Sequence, residues 1–309
     1  MTRRRFVRLA VVGGLGLAGA SVGLACGPPS QAPPPAAPAT GSADRLLVPT
    51  PTPGQLTGVL PNSDLAVGAN SRFMLGLLDD RNRPVTDAEV RLQFFKLLDT
   101  TTAQLRGAAP APFRGSPQLG DKGLYVARFG FEDPGPWGVE VQVARPNGTT
   151  QTLRLSFEVR AQSQTPAIGS AAPASRTPTA ASPSEAEKIC SARPVDDLHR
   201  LSVADALAER KPLLVLFATP GFCPSRTCGP DLEIVQAVTA SHGERLNVVH
   251  VEIYQDAQPP DVVAAVGEWS LPSEPWIFLV DANGLIADKF EGGLTVDELD
   301  PALAQLVGS

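Results

Sequence analysis

Between residues 62 and 160, apolar and polar positions alternate in short runs. The runs 72–78, 88–97, 123–131, 137–143 and 152–159 each read as a strand. Val139, Val141 and Val143 share one face of the fourth run, while Glu140 and Gln142 share the other. In the fifth, Leu153, Leu155, Phe157 and Val159 alternate with Arg154, Ser156 and Glu158. Period two with one polar face predicts half-buried antiparallel strands. Turn formers separate the runs at Asp79-Asp80-Arg81-Asn82, Asp133-Pro134-Gly135-Pro136 and Pro146-Asn147-Gly148. Several short strands punctuated in this way predict a β-sandwich.

Past residue 185 the texture changes. A helix is predicted over 203–210, then a continuous apolar strand over 212–218. A helix (231–241), a strand (246–254) and a helical stretch (260–269) follow. The runs 276–280 and 285–290 flank Asp281-Ala282-Asn283-Gly284, and Asn-Gly is a strong hairpin signal. A helix over 295–306 closes the chain. The fully apolar strand suits the middle of a sheet covered on both faces. The order is βαβαββα.

Composition supplies the boundaries. Pro and Gly concentrate in 27–61 and 161–184, which suggests linkers between folded parts. The predicted organisation is an export signal (1–25), a Pro-rich tether (26–61), a β-sandwich (62–160), a linker (161–185) and an α/β domain (186–309). The formal charge is -6. Residues 1–25 hold four arginines and no acids, so the remainder carries 22 basic against 32 acidic residues, or -10. That balance, without a basic stripe, excludes a nucleic-acid partner.

The N-terminus reads as an address. Thr2-Arg3-Arg4-Arg5-Phe6-Val7 precedes an apolar run from Leu9 to Ala25. A charged start, an apolar stretch and small residues describe a secretory signal. The arginine pattern resembles a twin-arginine signal. Gly23-Leu24-Ala25-Cys26 resembles a bacterial lipoprotein box, with Gly23 where that family usually has an aliphatic residue. This resemblance implies lipidation of Cys26 and a protein anchored at the extracytoplasmic face of the membrane.

The segment from Gly123 to Phe129, followed by Pro134-Gly135-Pro136-Trp137-Gly138-Val139-Glu140-Val141, resembles immunoglobulin-like modules of exported bacterial proteins. Trp137 is read as a core plug, and Asn147-Gly148-Thr149 as a turn rather than a glycosylation site.

The candidate chemistry lies further on. The strand Leu213–Phe217 runs into Ala218-Thr219-Pro220-Gly221-Phe222-Cys223, and Cys228 opens the next helix. Pro275 stands just before the Asn-Gly hairpin. A thiolate is the reactive form of cysteine, and the free N–H groups and dipole of a helix start stabilise it. Gly229 is the expected cap and Pro230 the first helical residue, with Asp231 and Glu233 in the first turn. Cys228 then falls just outside the helix.

Together these features resemble the thioredoxin superfamily over nearly all of 200–309. The fold class expected is therefore multi-domain: an N-terminal all-β immunoglobulin-like sandwich plus a C-terminal α/β thioredoxin-like domain. The resemblance implies catalytic roles for Cys223, Cys228 and Pro275, the last as a cis-proline facing the redox loop. The spacing here is Cys-x-x-x-x-Cys, against Cys-x-x-Cys in the family. Two registers follow. Cys223 attacks and Cys228 resolves, or Cys228-Gly229-Pro230-Asp231 aligns with the family motif and Cys228 attacks. The electrostatics of the helix start favour the second. The family's buried acid in the preceding strand is replaced by Leu214-Val215-Leu216.

The expected function is thiol–disulfide exchange with thiols or disulfides of other envelope proteins, with no organic cofactor. Two alternatives stand beside it. One is an envelope binding module in which the pair is a structural disulfide. The other is copper handling, because Phe222-Cys223-Pro224 followed by Cys228 resembles thioredoxin-like copper-delivery proteins of oxidase assembly. Those use a shorter Cys spacing and a late His, and no His follows His250 here. His199, His242 and His250 show no ligand spacing in sequence, and His250 is read as a strand residue. Cys190 is a third thiol, open to pairing or burial.

Overall fold

The computed structural model describes residues 54–120 and 122–308. The expected export signal, Cys26 and the tether as far as residue 53 lie outside the described residues.

The alternating runs form two antiparallel four-stranded sheets. The first, in the order β1-β2-β6-β5, contains β1 (Thr57–Val59), β2 (Gly68–Leu78), β5 (Phe113–Gly115) and β6 (Gly123–Phe131). The second, in the order β4-β3-β7-β8, contains β3 (Glu89–Leu97), β4 (Ala103–Pro110), β7 (Gly135–Ala144) and β8 (Thr150–Val159). Their inward side chains share one core: Phe73 and Leu75 from β2, Leu92 and Phe94 from β3, Phe131 from β6, and Trp137 and Val141 from β7. Trp137 is fully buried, packs edge-on against Phe131, and donates its indole N–H to the Asp133 carbonyl at 2.8 Å. Gly148 has φ +82°, which closes the β7–β8 turn at low cost because glycine lacks a Cβ.

The third sheet is mixed, in the order β10-β9-β11-β12, with β9 (Leu213–Ala218), β10 (Asn247–Glu252), β11 (Trp276–Val280) and β12 (Ile286–Glu291). β9 is parallel to β10 and antiparallel to β11. All six residues of β9 are fully buried, because they lie centrally and are covered on both faces. On one face Leu214 and Leu216 pack with α3 (Cys228–Thr239) and α5 (Val296–Gly308). On the other, Val215 and Phe217 pack with Val203 and Ala206 of α2 (Val203–Ala208), and with Ala265 and Trp269 at α4 (Ala264–Glu268).

The stretch 161–185, whose composition reads as a linker, is laid against this sheet. The Ala172 N–H bonds the Gly284 carbonyl and the Ile286 N–H bonds the Ser170 carbonyl, both at 2.9 Å. Ser175 accepts the indole N–H of Trp269 at 3.1 Å. Small Ala, Ser and Thr side chains let the backbone approach closely enough for these bonds. The stretch also contains the start of α1 (Pro183–Ile189), capped by the Ser182 hydroxyl.

The described residues fall in one compact unit, which holds both expected folded parts. The contact between the β2 sheet and the β12/α5 edge is polar and specific. Arg72 of β2 gives two hydrogen bonds to the Glu298 carboxylate, at 2.8 and 3.0 Å. It also donates to the Glu291 and Gly293 carbonyls, at 2.7 and 2.9 Å. Ser63 N–H meets the Glu291 carboxylate at 2.9 Å, and Arg128 pairs with Asp288 at 3.2 Å. Among the described residues, no helix is long and apolar enough to cross a membrane.

Candidate active site

The site is built where β9 runs out. The Thr219 carbonyl accepts N–H groups from both Phe222 (3.1 Å) and Cys223 (2.9 Å), which folds the chain back on itself. Gly221 fits this turn because a Cβ there would lie 2.9 Å from the Ser191 Cβ. A second turn follows, with Arg226 N–H bonding the Cys223 carbonyl at 3.2 Å and Arg226 at φ +59°. The first turn presents Cys223, and the second takes up the residues between the cysteines.

α3 then starts at Cys228 itself, not at Pro230. Thr227 is the cap position and its side chain makes no capping bond. Pro230 is tolerated in the first turn because the N–H it lacks would have had no partner inside the helix. This start corrects the expected cap at Gly229 and moves Cys228 inside the helix, where it is 0 % exposed, against 8 % for Cys223.

The electrostatics follow from that shift. The Cys223 sulfur meets the free ends of the helix. It lies 3.2 Å from the Ser225 hydroxyl, with the Cys228 thiol and the backbone N–H groups of Cys228 and Thr227 near enough to favour its charged form. The Cys228 thiol is the largest influence, and together these donors pull the Cys223 thiol down to about 5. Cys228 goes the other way. Its proton is held by the hydrogen bond to Cys223, by burial, and by the charges of Cys223 and Glu274. The hydrogen bond between the two sulfurs is the largest influence on both, holding the Cys223 thiol down and the Cys228 thiol up, and the backbone N–H groups at the helix start add a smaller pull on Cys223.

Glu274 is the member that sequence reasoning missed. Its Oε2 accepts from the Cys228 sulfur at 3.8 Å. Burial, then the nearby charges of Cys223 and Glu252, push its carboxyl up to about 7. The Glu274–Pro275 peptide bond is cis, and the Pro275 carbonyl accepts the Gly292 N–H at 3.0 Å. An acid beside the proline expected to face the loop was the available signal. One ligand atom from each of Cys223, Cys228 and Glu274 falls within a 4.8 Å cluster, and both sulfurs are free thiols.

Asp231 supplies a second acid. It is completely buried, and one oxygen accepts the Leu294 N–H at 3.0 Å. The other has no hydrogen-bond partner among the described residues. Burial, reinforced by the charges of Cys223 and Glu298, raises its carboxyl well above the usual range. The acids near the pair thus come from a helix and a loop, whereas β9 offers only leucine and valine at 214–216.

The remaining titratable residues also converge. His199 and His250, without ligand spacing in sequence, meet Cys190 and Asp196 in a buried cluster on the β9–β10 side. His242 is not part of it.

No family model matches the chain, and no curated protein matches it. Similar solved structures include thioredoxin-like proteins, each covering about a third of the chain. Chloroplastic thioredoxin z is 18% identical, covering 34% of this chain and 85% of its own, with a TM-score of 0.28. A thioredoxin-family thiol:disulfide interchange protein from Chlorobium tepidum is 15% identical, covering 32% and 81%, with a TM-score of 0.27. A thioredoxin-like protein solved in its oxidised form is 18% identical, covering 32% and 78%, with a TM-score of 0.26.

Proposed function

We propose that this chain is a thiol–disulfide oxidoreductase of the cell envelope, acting on thiols or disulfides of other exported proteins through Cys223 and Cys228. The observation that carries the reading is that the two free sulfurs lie within 4.8 Å of each other and of a Glu274 oxygen, with Cys223 in the loop before α3 and Cys228 its first residue. The envelope setting rests on the arginine-rich start, the apolar run and Cys26, read as a lipid-anchored export signal.

In the first step the Cys223 thiolate attacks one sulfur of a partner disulfide. A Cys223–partner disulfide forms, the partner's S–S bond breaks, and the other partner sulfur leaves as a thiolate. The Cys223 charge is now gone, and with it the hydrogen bond and repulsion that kept Cys228 protonated. Glu274, 3.8 Å away, is the placed acceptor for that proton. The Cys228 thiolate then attacks Cys223 Sγ, forming the internal disulfide and releasing the second partner thiolate. The chain has given two electrons to the partner. Run backwards, the same steps oxidise a partner dithiol.

A reduction potential with thiol counting tests this reading. The expected potential of the Cys223–Cys228 pair lies above about -300 mV, where exchange is reversible. A value far below that marks a structural bridge and contradicts the reading. Stoichiometric Cu(I) uptake by the reduced pair, without exchange activity, would replace it by metal handling.

A further inference from the structure

Away from the cysteine pair, Cys190, Asp196, His199 and His250 form a closed polar cluster within apolar surroundings. All four are buried, and one ligand atom from each lies within 4.8 Å of the others. Cys190 Sγ is 3.2 Å from Asp196 Oδ2, His250 Nδ1 is 2.8 Å from the same oxygen, and His199 Nε2 is 3.4 Å from Asp196 Oδ1. A tetrahedral zinc ion with bonds of about 2.0–2.3 Å keeps its donors about 3.3–3.8 Å apart. The cluster is already near those spacings.

Two details of the histidines point to a cation. His250 Nε2 lies 3.2 Å from the Ala218 carbonyl, which can only accept. Nε2 therefore carries a hydrogen, and Nδ1, 2.8 Å from the Asp196 carboxylate, carries a second that it gives up when a cation takes its place, which leaves the Nδ1 lone pair facing the cluster. A backbone carbonyl on the far nitrogen is the usual way a metal-binding imidazole is oriented. His199 Nε2 is buried and makes no hydrogen bond among the described residues. It lies 3.4 Å from Asp196 Oδ1, an ion-pair distance without a hydrogen bond, so burial has cost it water for an incomplete return. A cation inside the cluster would satisfy it.

We propose that Cys190, Asp196, His199 and His250 are the four ligands of a structural site for a zinc-type divalent cation. One thiolate, two imidazoles and one carboxylate suit a borderline cation, and four protein ligands in a buried place describe a closed structural site. Binding sends the Cys190 thiol proton and the His250 Nδ1 proton to solvent. The ion would join the segment after α1 to β10. Through His250 and Ala218 it would also hold the end of β9. Ser191, next to Cys190, accepts the Gly221 N–H at 3.0 Å, so the site braces the turn that carries Cys223.

The test uses the full chain carrying C26S, C223S and C228S, in which Cys190 is the one thiol of the original four. The protein, stripped with a chelator, is titrated with zinc against a chromophoric competitor, and separately with Co(II). One equivalent of either metal is expected, with a thiolate-to-cobalt charge-transfer band, a tetrahedral ligand-field spectrum and a raised melting temperature. Adding C190S abolishes the charge-transfer band and weakens zinc binding more than tenfold. Should that variant not fold, His199→Gln makes the comparison, because the fold loses no Nε2 hydrogen bond there, and the same weakening is expected. The proposal is overturned if the folded chain takes up no equivalent of metal, or if both variants bind as the parent does. Since this chain lacks the exchange pair, either result leaves the proposed exchange untouched.

Discussion

Arg72→Met is expected to lower folding stability by about 3–5 kcal/mol, the usual cost of removing one partner from a buried ion pair. Arg72 and Glu298 are 4% and 7% exposed at their side chains and meet at 2.8 Å. Methionine leaves the Glu298 carboxylate buried with its counter-charge gone. It also frees the Glu291 and Gly293 carbonyls that the guanidinium now satisfies. Asp231, whose charge Arg72 offsets, becomes harder still to ionise. Urea unfolding followed by tryptophan fluorescence reads the loss, because Trp137, Trp269 and Trp276 are buried on both sides of this contact. The double variant R72M/E298M is expected to recover a large part of it, since two apolar residues replace the pair without leaving a bare charge. A loss below about 1 kcal/mol, the range of exposed pairs, would mean that water reaches this contact.

The second large effect concerns Cys223. Its alkylation by iodoacetamide is expected to follow a titration with a midpoint near pH 5. An ordinary thiol titrates near pH 8.5, so the midpoint moves down by about 3.5 units. The effect shows in the midpoint, not the plateau, because a less basic thiolate is also a weaker nucleophile. Mass spectrometry of the labelled peptide separates Cys223 from Cys228, which stays unlabelled over this range. The sign for stability follows from the depressed value. The fold favours the thiolate, so its contribution is complete above the ordinary thiol pKa and disappears as pH falls through about 5. The reduced protein's melting temperature should therefore drop between about pH 9 and pH 5 relative to C223S. A Cys223 midpoint at pH 8 or above would show that neither the Cys228 thiol nor the helix start stabilises this thiolate.

Much of the architecture was legible because it is written in local periodicity. The run 123–131 and the run 276–280 are strands with those ends, and the Asn283-Gly284 turn joins β11 to β12. The strands that escaped notice are those whose own side chains carry no pattern. β4 is an edge strand of small and mixed residues, held by its pairing to β3. β1 and β5 have three residues each, too few to show a period. α1 lies within an Ala-, Ser- and Pro-rich stretch, although Ser182-Pro183-Ser184-Glu185 carries its start signal, with Glu185 reaching back to the Ala181 N–H at 2.8 Å.

The candidate site was half legible. Cys223, Cys228 and Pro275 stand out by position in the chain. That α3 begins at residue 228 and not 230, placing Cys228 inside the helix, was not legible, because helix ends are poorly marked in sequence. Glu274 meets Cys228 across 46 residues and His250 meets Asp196 across 54, approaches that no local pattern encodes.

Trapping the mixed disulfide tests most directly the order in which the two sulfurs act. Reduced chains are mixed with a disulfide-bonded exported protein or a disulfide peptide, quenched with acid and resolved without reductant. With Cys228→Ser, a long-lived adduct through Cys223 is expected. With Glu274→Gln the adduct forms normally and decays about 10²-fold more slowly, the low end of what a placed base contributes. With Cys223→Ser no adduct should form. An adduct through Cys228 in the Cys223→Ser chain, with none from Cys228→Ser, would contradict the account.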